Sequence, residues 1–298
     1  MNHFHKGHNN GDQNIKNIKS ALFINLIFTL IELVGGILSN SVAIISDAVH
    51  DLGDTIALSF SLFSEKFAKK KDVDQNYTYG LNRLPLLSAF VNSIILLIGS
   101  SIILYNAIPR LFNPEPPHAG IMIIIAVIGV VANGWAMLKL KRNKGLNSKV
   151  LALHILEDVL GWASIFIGAI LIYFLDLPII DPILSIIITL YILYNVFKNI
   201  RSAYQLFMQK SPESIKAVDI LSFINELEEV KAVEDFHVWS LEGTQHVLTA
   251  HVLVQDDLDT ASKKLLKIKI REGVKKFGNI HSTLEIENES DVCEDHCD

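Results

Sequence analysis

Long apolar segments separated by short polar ones fill the first two thirds of the chain. Six of them are each close to the roughly 20 apolar residues with which a helix crosses a bilayer. They lie at about residues 18–38, 42–65, 85–109, 119–139, 149–175 and 182–207. The pattern predicts an α-helical polytopic membrane domain with six transmembrane helices.

The pattern changes at Ser211-Pro212-Glu213, where charged and apolar residues begin to mix and a proline fits the first turn of a new helix. Helical periodicity then alternates with strand-like runs, helices at about 214–230 and 260–277 and strands at about 234–241, 245–254 and 281–287. The order αββαβ predicts a small two-layer α+β domain.

Four regions follow from these patterns. We expect a polar cytosolic arm at residues 1–17, a transport domain at 18–210, a cytosolic α+β domain at 211–288 and an acidic Cys/His tail at 289–298. The arm carries three histidines, and the tail carries Cys293, His296 and Cys297. The arm and the tail could each bind metal weakly, or each could be a solvated segment without a role.

Composition and charge narrow the class of protein. Half of the 298 residues are hydrophobic, the formal net charge is −6, and the two cysteines lie in the last six residues, so no disulfide framework supports the fold. Basic residues concentrate in the loops after the second and fourth apolar segments, whereas the opposite loops hold one, Arg110. The positive-inside rule therefore predicts cytosolic N- and C-termini.

The second apolar segment contains a polar stripe. Asp47, His50, Asp51 and Asp54 fall within one arc of roughly 100° on a helix. Ionisable side chains are expensive inside a membrane and usually mark an ion pathway. Asp47 and Asp51, together with Glu32 in the first segment, are candidates for contacts to the ligands or for a proton path, and Glu32 could equally serve helix packing.

The fifth segment repeats the spacing His-x-x-x-Asp with His154 and Asp158, and Glu157 lies between them. Residues four apart share one helix face. Two such helices facing each other would offer two imidazoles and two carboxylates, which suits tetrahedral Zn²⁺. The four residues His50, Asp54, His154 and Asp158 are the predicted metal ligands. Glu157 is a further candidate for a ligand contact or a proton path, with a merely solvated side chain as the alternative.

Several blocks of the sequence resemble the cation diffusion facilitator family, in particular its bacterial zinc exporters. The blocks are Glu32–Gly36, Ser46–Asp54, Tyr79–Arg83, Ala89–Asn92, His154–Asp158, Asp181-Pro182 and Phe236–Leu241. The resemblance implies a homodimer with a metallochaperone-like cytosolic domain. It also implies export of divalent metal from the cytosol in exchange for protons, by alternating access, across the inner (cytoplasmic) membrane.

The same resemblance implies that the four predicted ligands form the metal site of the family. Histidine at position 50 is similar to zinc-preferring members, so Zn²⁺ is the expected cargo, with Co²⁺, Cd²⁺, Fe²⁺ or Mn²⁺ as alternatives. In the cytosolic domain His237, His251 and His281 resemble regulatory metal ligands, although Thr283 stands where some members carry a carboxylate. We expect metal ions, protons and lipids as partners, with no nucleic acid and no prosthetic group.

Metal binding requires neutral imidazole and ionised carboxylate, so it competes with protons, which favours antiport. The sequence has no Gly-rich nucleotide loop, consistent with a secondary transporter. An intramembrane metalloenzyme would keep an open coordination position, and the chain has no H-E-x-x-H motif. We therefore expect a carrier and not an enzyme, with a metal channel or sensor as the remaining alternative.

Overall fold

The structure of the protein is a computed structural model that describes residues 8–70, 77–140, 146–256 and 258–288. Within these ranges, side chains are described for residues 19–20, 22–60, 62–63, 77–135, 137–138, 155–256 and 258–288. The described chain forms two compact units. The first contains most of six long helices, and the second contains the last helical turns before residue 208, residues 77–87 and the C-terminal elements.

The six long helices are α1 (His8–Ser39), α2 (Val42–Lys70), α3 (Leu84–Phe112), α4 (Ala119–Leu140), α5 (Leu146–Leu175) and α6 (Ile180–Phe207). They match the six predicted helices. The predicted arm differs, because α1 begins at His8 and not near residue 18. No proline interrupts residues 8–18, so the helix continues beyond the apolar segment. Residues 1–7, with His3 and His5, lie outside the described residues.

Four helices contain described segments long and apolar enough to cross a membrane, and a fifth apolar stretch, Ala119–Trp135, is shorter. The four segments are Leu22–Ser39, Leu84–Phe112, Ile155–Leu175 and Ile180–Phe207. Helix α2 falls outside this set, and three aspartates interrupt its apolar run. The helix that carries the polar stripe is therefore not among these four.

Small residues let the helices of the first unit pack closely. Trp162 of α5 is almost fully buried against Gly129 of α4, where an added Cβ would lie 2.2 Å from the indole ring. A Cβ on Gly35 of α1 would lie 2.0 Å from the Ile125 side chain of α4. Small residues at helix contacts are typical of membrane bundles, where tight packing replaces the hydrophobic effect. Gly35 therefore lets α1 approach α4 closely.

The second unit contains α7 (Ala217–Asn225), β1 (Val230–Ser240), β2 (His246–Val254), α8 (Thr260–Val274) and β3 (Ile280–Asn288). The sheet order is β1-β2-β3, antiparallel between β1 and β2 and parallel between β2 and β3. The predicted αββαβ order is confirmed. The helix predicted at 214–230 ends earlier, at Asn225, because Val230 already pairs with Val254 of β2.

One apolar core lies between the sheet and its two helices. Its fully buried members include Ile220 of α7, Leu248 of β2 and Ile270 of α8. Asp259 caps α8 by accepting a hydrogen bond of 2.9 Å from the backbone amide of Ser262. The Ser262 side chain, and after it this amide, lowers the pKa of the Asp259 carboxyl. The capped helix and the core both belong to residues 212–288.

We predict that the fragment 212–288 folds in water by itself, because its core is formed entirely from its own residues. At about 80 residues the core is small, so we expect self-association to add stability. Circular dichroism should show a cooperative thermal transition, and sedimentation velocity should show a dimer at micromolar concentration. A fragment that stays monomeric at all concentrations, with and without Zn²⁺, would place dimer contacts in the membrane domain instead.

Candidate metal centre

The polar stripe of α2 points into the helix bundle. Asp47 and Asp51 are buried, with 8% and 9% of their surface exposed, and His50 and Asp54 are half-buried. Asn25 of α1 donates hydrogen bonds to the Asp51 carbonyl, at 3.1 Å, and to the Thr55 hydroxyl, at 3.0 Å. These bonds tie α1 to the turn of α2 that carries the stripe.

Helix α5 faces the same stripe. A Cβ built on Gly161 would lie 3.8 Å from Oδ1 of Asp47, so the backbone of α5 passes close to the α2 carboxylate. Asp158, one turn earlier on α5, is half-buried, and its charge acts on Asp47 and Asp51. The structure therefore places Asp158, the acidic member of the second His-x-x-x-Asp pair, close to the stripe that contains the first pair.

The fourth predicted ligand, His154, lies on α5, but its side chain is outside the described residues. Its position follows from the helix. Four residues advance a helix by about 6 Å and by slightly more than one full turn. His154 is therefore on the same side of α5 as Asp158, one turn toward the start of the helix.

Glu32 of α1 is the most deeply buried acid, with no exposed surface. Neither of its carboxylate oxygens makes a geometrically acceptable hydrogen bond to a described residue. The groups that act on its charge are other carboxylates, first Asp51 and then Asp47 and Asp158. A buried carboxylate needs a partner or a proton. This cluster of acids can therefore hold cations or protons in the middle of the bundle.

Glu157 lies near α6, whereas the residues of the polar stripe lie near α1 and α5. It is exposed, and it lies within hydrogen-bonding reach of Tyr191 on α6, which also interacts with Asn195. On a helix, adjacent residues point about 100° apart. Glu157 thus contacts α6 while Asp158 acts on α2, and a role for Glu157 in ligand contacts or proton movement stays a prediction.

A buried polar seam joins the start of α6 to the start of α2. Asp181 accepts hydrogen bonds from the Ser41 hydroxyl, at 2.5 Å, and from the Val42 amide, at 2.8 Å. One and two turns further along α6, Ser185 donates to the Val42 carbonyl, at 3.3 Å, and Thr189 pairs with the Ser46 hydroxyl, at 2.8 Å.

Asp181 thus caps the first turn of α2, where amide groups lack partners within the helix. Sequence reasoning missed this seam. Its available signal was the spacing of four between residues 181, 185 and 189 on one side of α6.

A second cluster of metal-binding side chains lies on the sheet. His251 of β2 is beside Glu285 of β3 in register, and its Nδ1 atom is 2.9 Å from Oε1 of Glu287. One ligand atom from each of these three residues lies within 4.8 Å of the others. Asp235 of β1 reaches His251 at 3.8 Å and His237 at 2.7 Å.

The predicted histidines are therefore not all together. His237 is linked to His251 through Asp235, whereas His281 stacks edge-on against Tyr79, with ring centroids 6.1 Å apart. The acids Asp235, Glu285 and Glu287 were missed by sequence reasoning. Asp235 adopts φ 46° at a register shift of β1, which a sequence pattern does not predict.

Comparison with known proteins identifies the family of this chain. The description "cation efflux transmembrane domain" matches residues 18–208, and "cation efflux protein, cytoplasmic domain" matches residues 212–289. The chain belongs to the cation efflux family. Membership confirms the expected transporter and its six-helix membrane domain with a cytoplasmic α+β domain, and it excludes the metalloenzyme considered above.

Several cation efflux proteins are similar over most of the chain. A "cadmium, cobalt and zinc/H(+)-K(+) antiporter" of Bacillus subtilis is 32% identical over 95% of this chain and 93% of its own length. The "zinc transporter ZitB" of Escherichia coli is 35% identical over 82% of this chain and 78% of its own. The "metal cation efflux system protein CzcD" of Cupriavidus metallidurans is 29% identical over 94% and 89%.

For this cation efflux protein, we predict that Asp181→Ala loosens the start of α2 and lowers transport. Removing a buried carboxylate acceptor leaves the Ser41 hydroxyl and the Val42 amide unpaired, a loss of about 1–3 kcal/mol in folding free energy. Asp181→Asn keeps an acceptor oxygen and should retain part of both properties. Thermal unfolding in detergent and transport in proteoliposomes measure the two effects.

The matched control is Asp176→Asn, which changes an exposed aspartate in the α5–α6 connection where φ is 50°, a conformation that asparagine tolerates. It should behave as wild type. Equal melting temperatures and equal transport for Asp181→Ala and this control would contradict a positioning role of the seam.

Proposed function

We propose that the protein exports divalent metal ions, Zn²⁺ first among them, from the cytosol in exchange for protons. The observation that carries the proposal is the acidic stripe of α2 facing Asp158 of α5 inside the helix bundle. Buried acids in a membrane domain are costly unless they bind cations or protons. A transporter that carries both in turn uses the same groups in both steps.

The ligand set that we propose is His50 and Asp54 from α2 with His154 and Asp158 from α5. Two imidazoles and two carboxylates complete a tetrahedral shell of the kind that Zn²⁺ prefers. Asp47, Asp51 and Glu32 lie next to this shell. Their role in the proposal is to accept protons when the metal leaves, since their charges otherwise repel one another at buried positions.

Zinc as the principal cargo draws support from the relatives. The Escherichia coli protein is named a zinc transporter, and the Bacillus subtilis protein a cadmium, cobalt and zinc antiporter. Co²⁺ and Cd²⁺ are therefore the first alternatives, before Fe²⁺ and Mn²⁺. Exchange for protons agrees with the second name and with the competition of metal and protons for the same ligands.

We predict proton-coupled Zn²⁺ uptake into everted membrane vesicles with an acidic interior. Each ion that enters should release protons outward, so the pH inside rises during uptake, and a protonophore should slow uptake. A pH-sensitive dye and a Zn²⁺ indicator inside the same vesicles measure both. Equally fast uptake after the gradient has collapsed, with no change of pH, would rule out antiport and favour a channel.

The site variants for this assay are Asp54→Ala and Asp158→Ala. Loss of an outer partner of a metal ligand already lowers affinity about 10–100-fold, so loss of a ligand should reduce uptake to background. Glu228→Ala removes an exposed surface carboxylate and should transport normally. Wild-type rates in both aspartate variants, at equal protein levels, would refute the ligand assignment.

We predict that His50→Asp increases Cd²⁺ transport and keeps measurable Zn²⁺ transport. The change replaces a neutral donor by an anionic and potentially bidentate one, which favours a larger cation. Both metals should be compared in the same proteoliposomes, with Asp54→Ala as the inactive control. Loss of Zn²⁺ transport without any gain for Cd²⁺ would shift the selectivity role to Asp47 or Asp51.

The proposal includes a homodimer in the inner (cytoplasmic) membrane with both termini in the cytosol. The matched cytoplasmic domain, residues 212–289, follows α6 and supports a C-terminus on the cytosolic side. Six membrane helices return the chain to the side on which it began, so the N-terminus faces the cytosol as well. The basic loops after α2 and α4 agree with this orientation.

We also propose that the cytosolic cluster binds a regulatory metal ion. His251, Glu285 and Glu287 supply one nitrogen and two oxygens within 4.8 Å, and Asp235 can approach as a fourth ligand. His237 stays a predicted participant through Asp235, whereas His281 lies outside the compact three-residue set. Half-buried histidine beside two carboxylates suits Zn²⁺ better than a harder cation such as Mg²⁺.

Calorimetric titration of the fragment 212–288 with Zn²⁺ tests this second site. We predict one binding event that is lost in His251→Ala, because the only nitrogen of the compact three-residue set is removed. His281→Ala should retain the event, since His281 is not a member of the compact three-residue set. Unchanged binding in His251→Ala, with loss in His281→Ala, would mean that the metal binds elsewhere on the sheet.

A further inference from the structure

A basic stripe runs along one side of α8. Lys264, Lys267, Arg271 and Lys275 follow one another at intervals of three, four and four residues, which on a helix places them within an arc of about 80°. All but the half-buried Lys267 are exposed. None of the four pairs with a carboxylate in the described part of the chain, whereas Lys269, on another side of α8, lies 3.2 Å from Glu229.

This stripe has the character of a binding surface for an anionic, partly apolar chain. Like charges at intervals of four residues repel one another along a helix, so a ligand that supplies negative charge is favoured. Ile268, with 44% of its surface exposed, lies between Lys264 and Arg271 along the helix and about 20° beyond the edge of this arc. The surface therefore offers an apolar contact beside its cations.

The chain itself supplies an anionic segment next to the stripe. Residues 289–298 contain five acids and no lysine or arginine. The segment follows β3, whose last residue, Asn288, accepts a hydrogen bond from Lys263 at 2.5 Å. Lys263 lies in the first turn of α8, immediately before Lys264. The last described residue before the acidic segment, Asn288, therefore lies at the end of α8 where the stripe begins.

Length also permits the contact. Ten residues can extend over about 33 Å, and the 15 residues of α8 span about 22 Å. A tether this short keeps the segment at an effective concentration on the order of millimolar. We infer that residues 289–298 bind to the basic stripe of α8. Binding there holds Cys293, His296 and Cys297 against the cytosolic domain.

Cross-linking in the full-length protein tests the contact. With Cys293→Ser, Cys297 is the one native thiol, and Ile268→Cys adds a second thiol beside the stripe. The control is Val218→Cys, which is 70% exposed on α7. In uncharged detergent we expect the 268–297 disulfide to form about tenfold faster than the 218–297 disulfide. The reason is that binding to the stripe raises the effective concentration of Cys297 near position 268. About 1 M salt should remove the difference, because the Debye length falls to about 3 Å.

Charge reversal gives a second measurement. Arg271→Glu with Lys275→Glu should slow the 268–297 cross-link to the control rate, and adding Asp291→Lys, Glu294→Lys and Asp295→Lys should restore it. Far-UV circular dichroism verifies that each variant is folded. Equal rates at positions 268 and 218, or rates that salt does not change, would overturn the inference.

Two further outcomes would assign the stripe to another occupant. Loss of the cross-link in vesicles of anionic phospholipid, with retention in vesicles of neutral lipid, would identify lipid headgroups as the ligand and overturn the inference. A 268–297 disulfide found by peptide mapping in a product at twice the monomer mass would show that the segment binds a second copy of the chain and not its own α8.

Discussion

Negative charge inside an apolar helix bundle is the constraint on which the rest of this structure depends. Glu32, Asp47, Asp51 and Asp158 act on one another where water is scarce, and such a group is stable only with cations or protons among them. The bundle must therefore be rigid enough to keep the acids together and open enough to exchange what neutralises them. The glycines, the Asn25 bonds and the seam with α6 meet the first requirement.

The two ligand-bearing helices have different supports. Helix α2 is held by Asn25 of α1 on one side and by Asp181 of α6 on the other, whereas α5 packs mainly against α4 through Trp162. Polar bonds fix the position of α2 along its axis, and apolar packing holds α5. The two helices also share one apolar cluster, in which Ala43 and Ile44 of α2 lie with Trp162 of α5.

Hydropathy and spacing predicted the six helices and the αββαβ order, because helices and strands depend on residues that are close together in the sequence. The paired His-x-x-x-Asp motifs were recognisable for the same reason. The seam between α2 and α6 was not, since Ser41, Ser46 and Asp181 become neighbours only through packing. The cytosolic cluster depends on strand register and on a bulge at Asp235, so its acids could not be paired with His251 in advance.

The parallel pairing of β2 with β3 bears on how the domain folds. A parallel pair needs a crossover, here α8, and the entropy of closing that loop must be lost before any contact between the strands forms. The antiparallel hairpin of β1 and β2 closes over five residues, 241–245, and can form first. Glu285 and Glu287 then reach His251 only in the last step of assembly. The cytosolic cluster is thus a marker of completed folding, absent from any partly folded chain that has formed the hairpin alone.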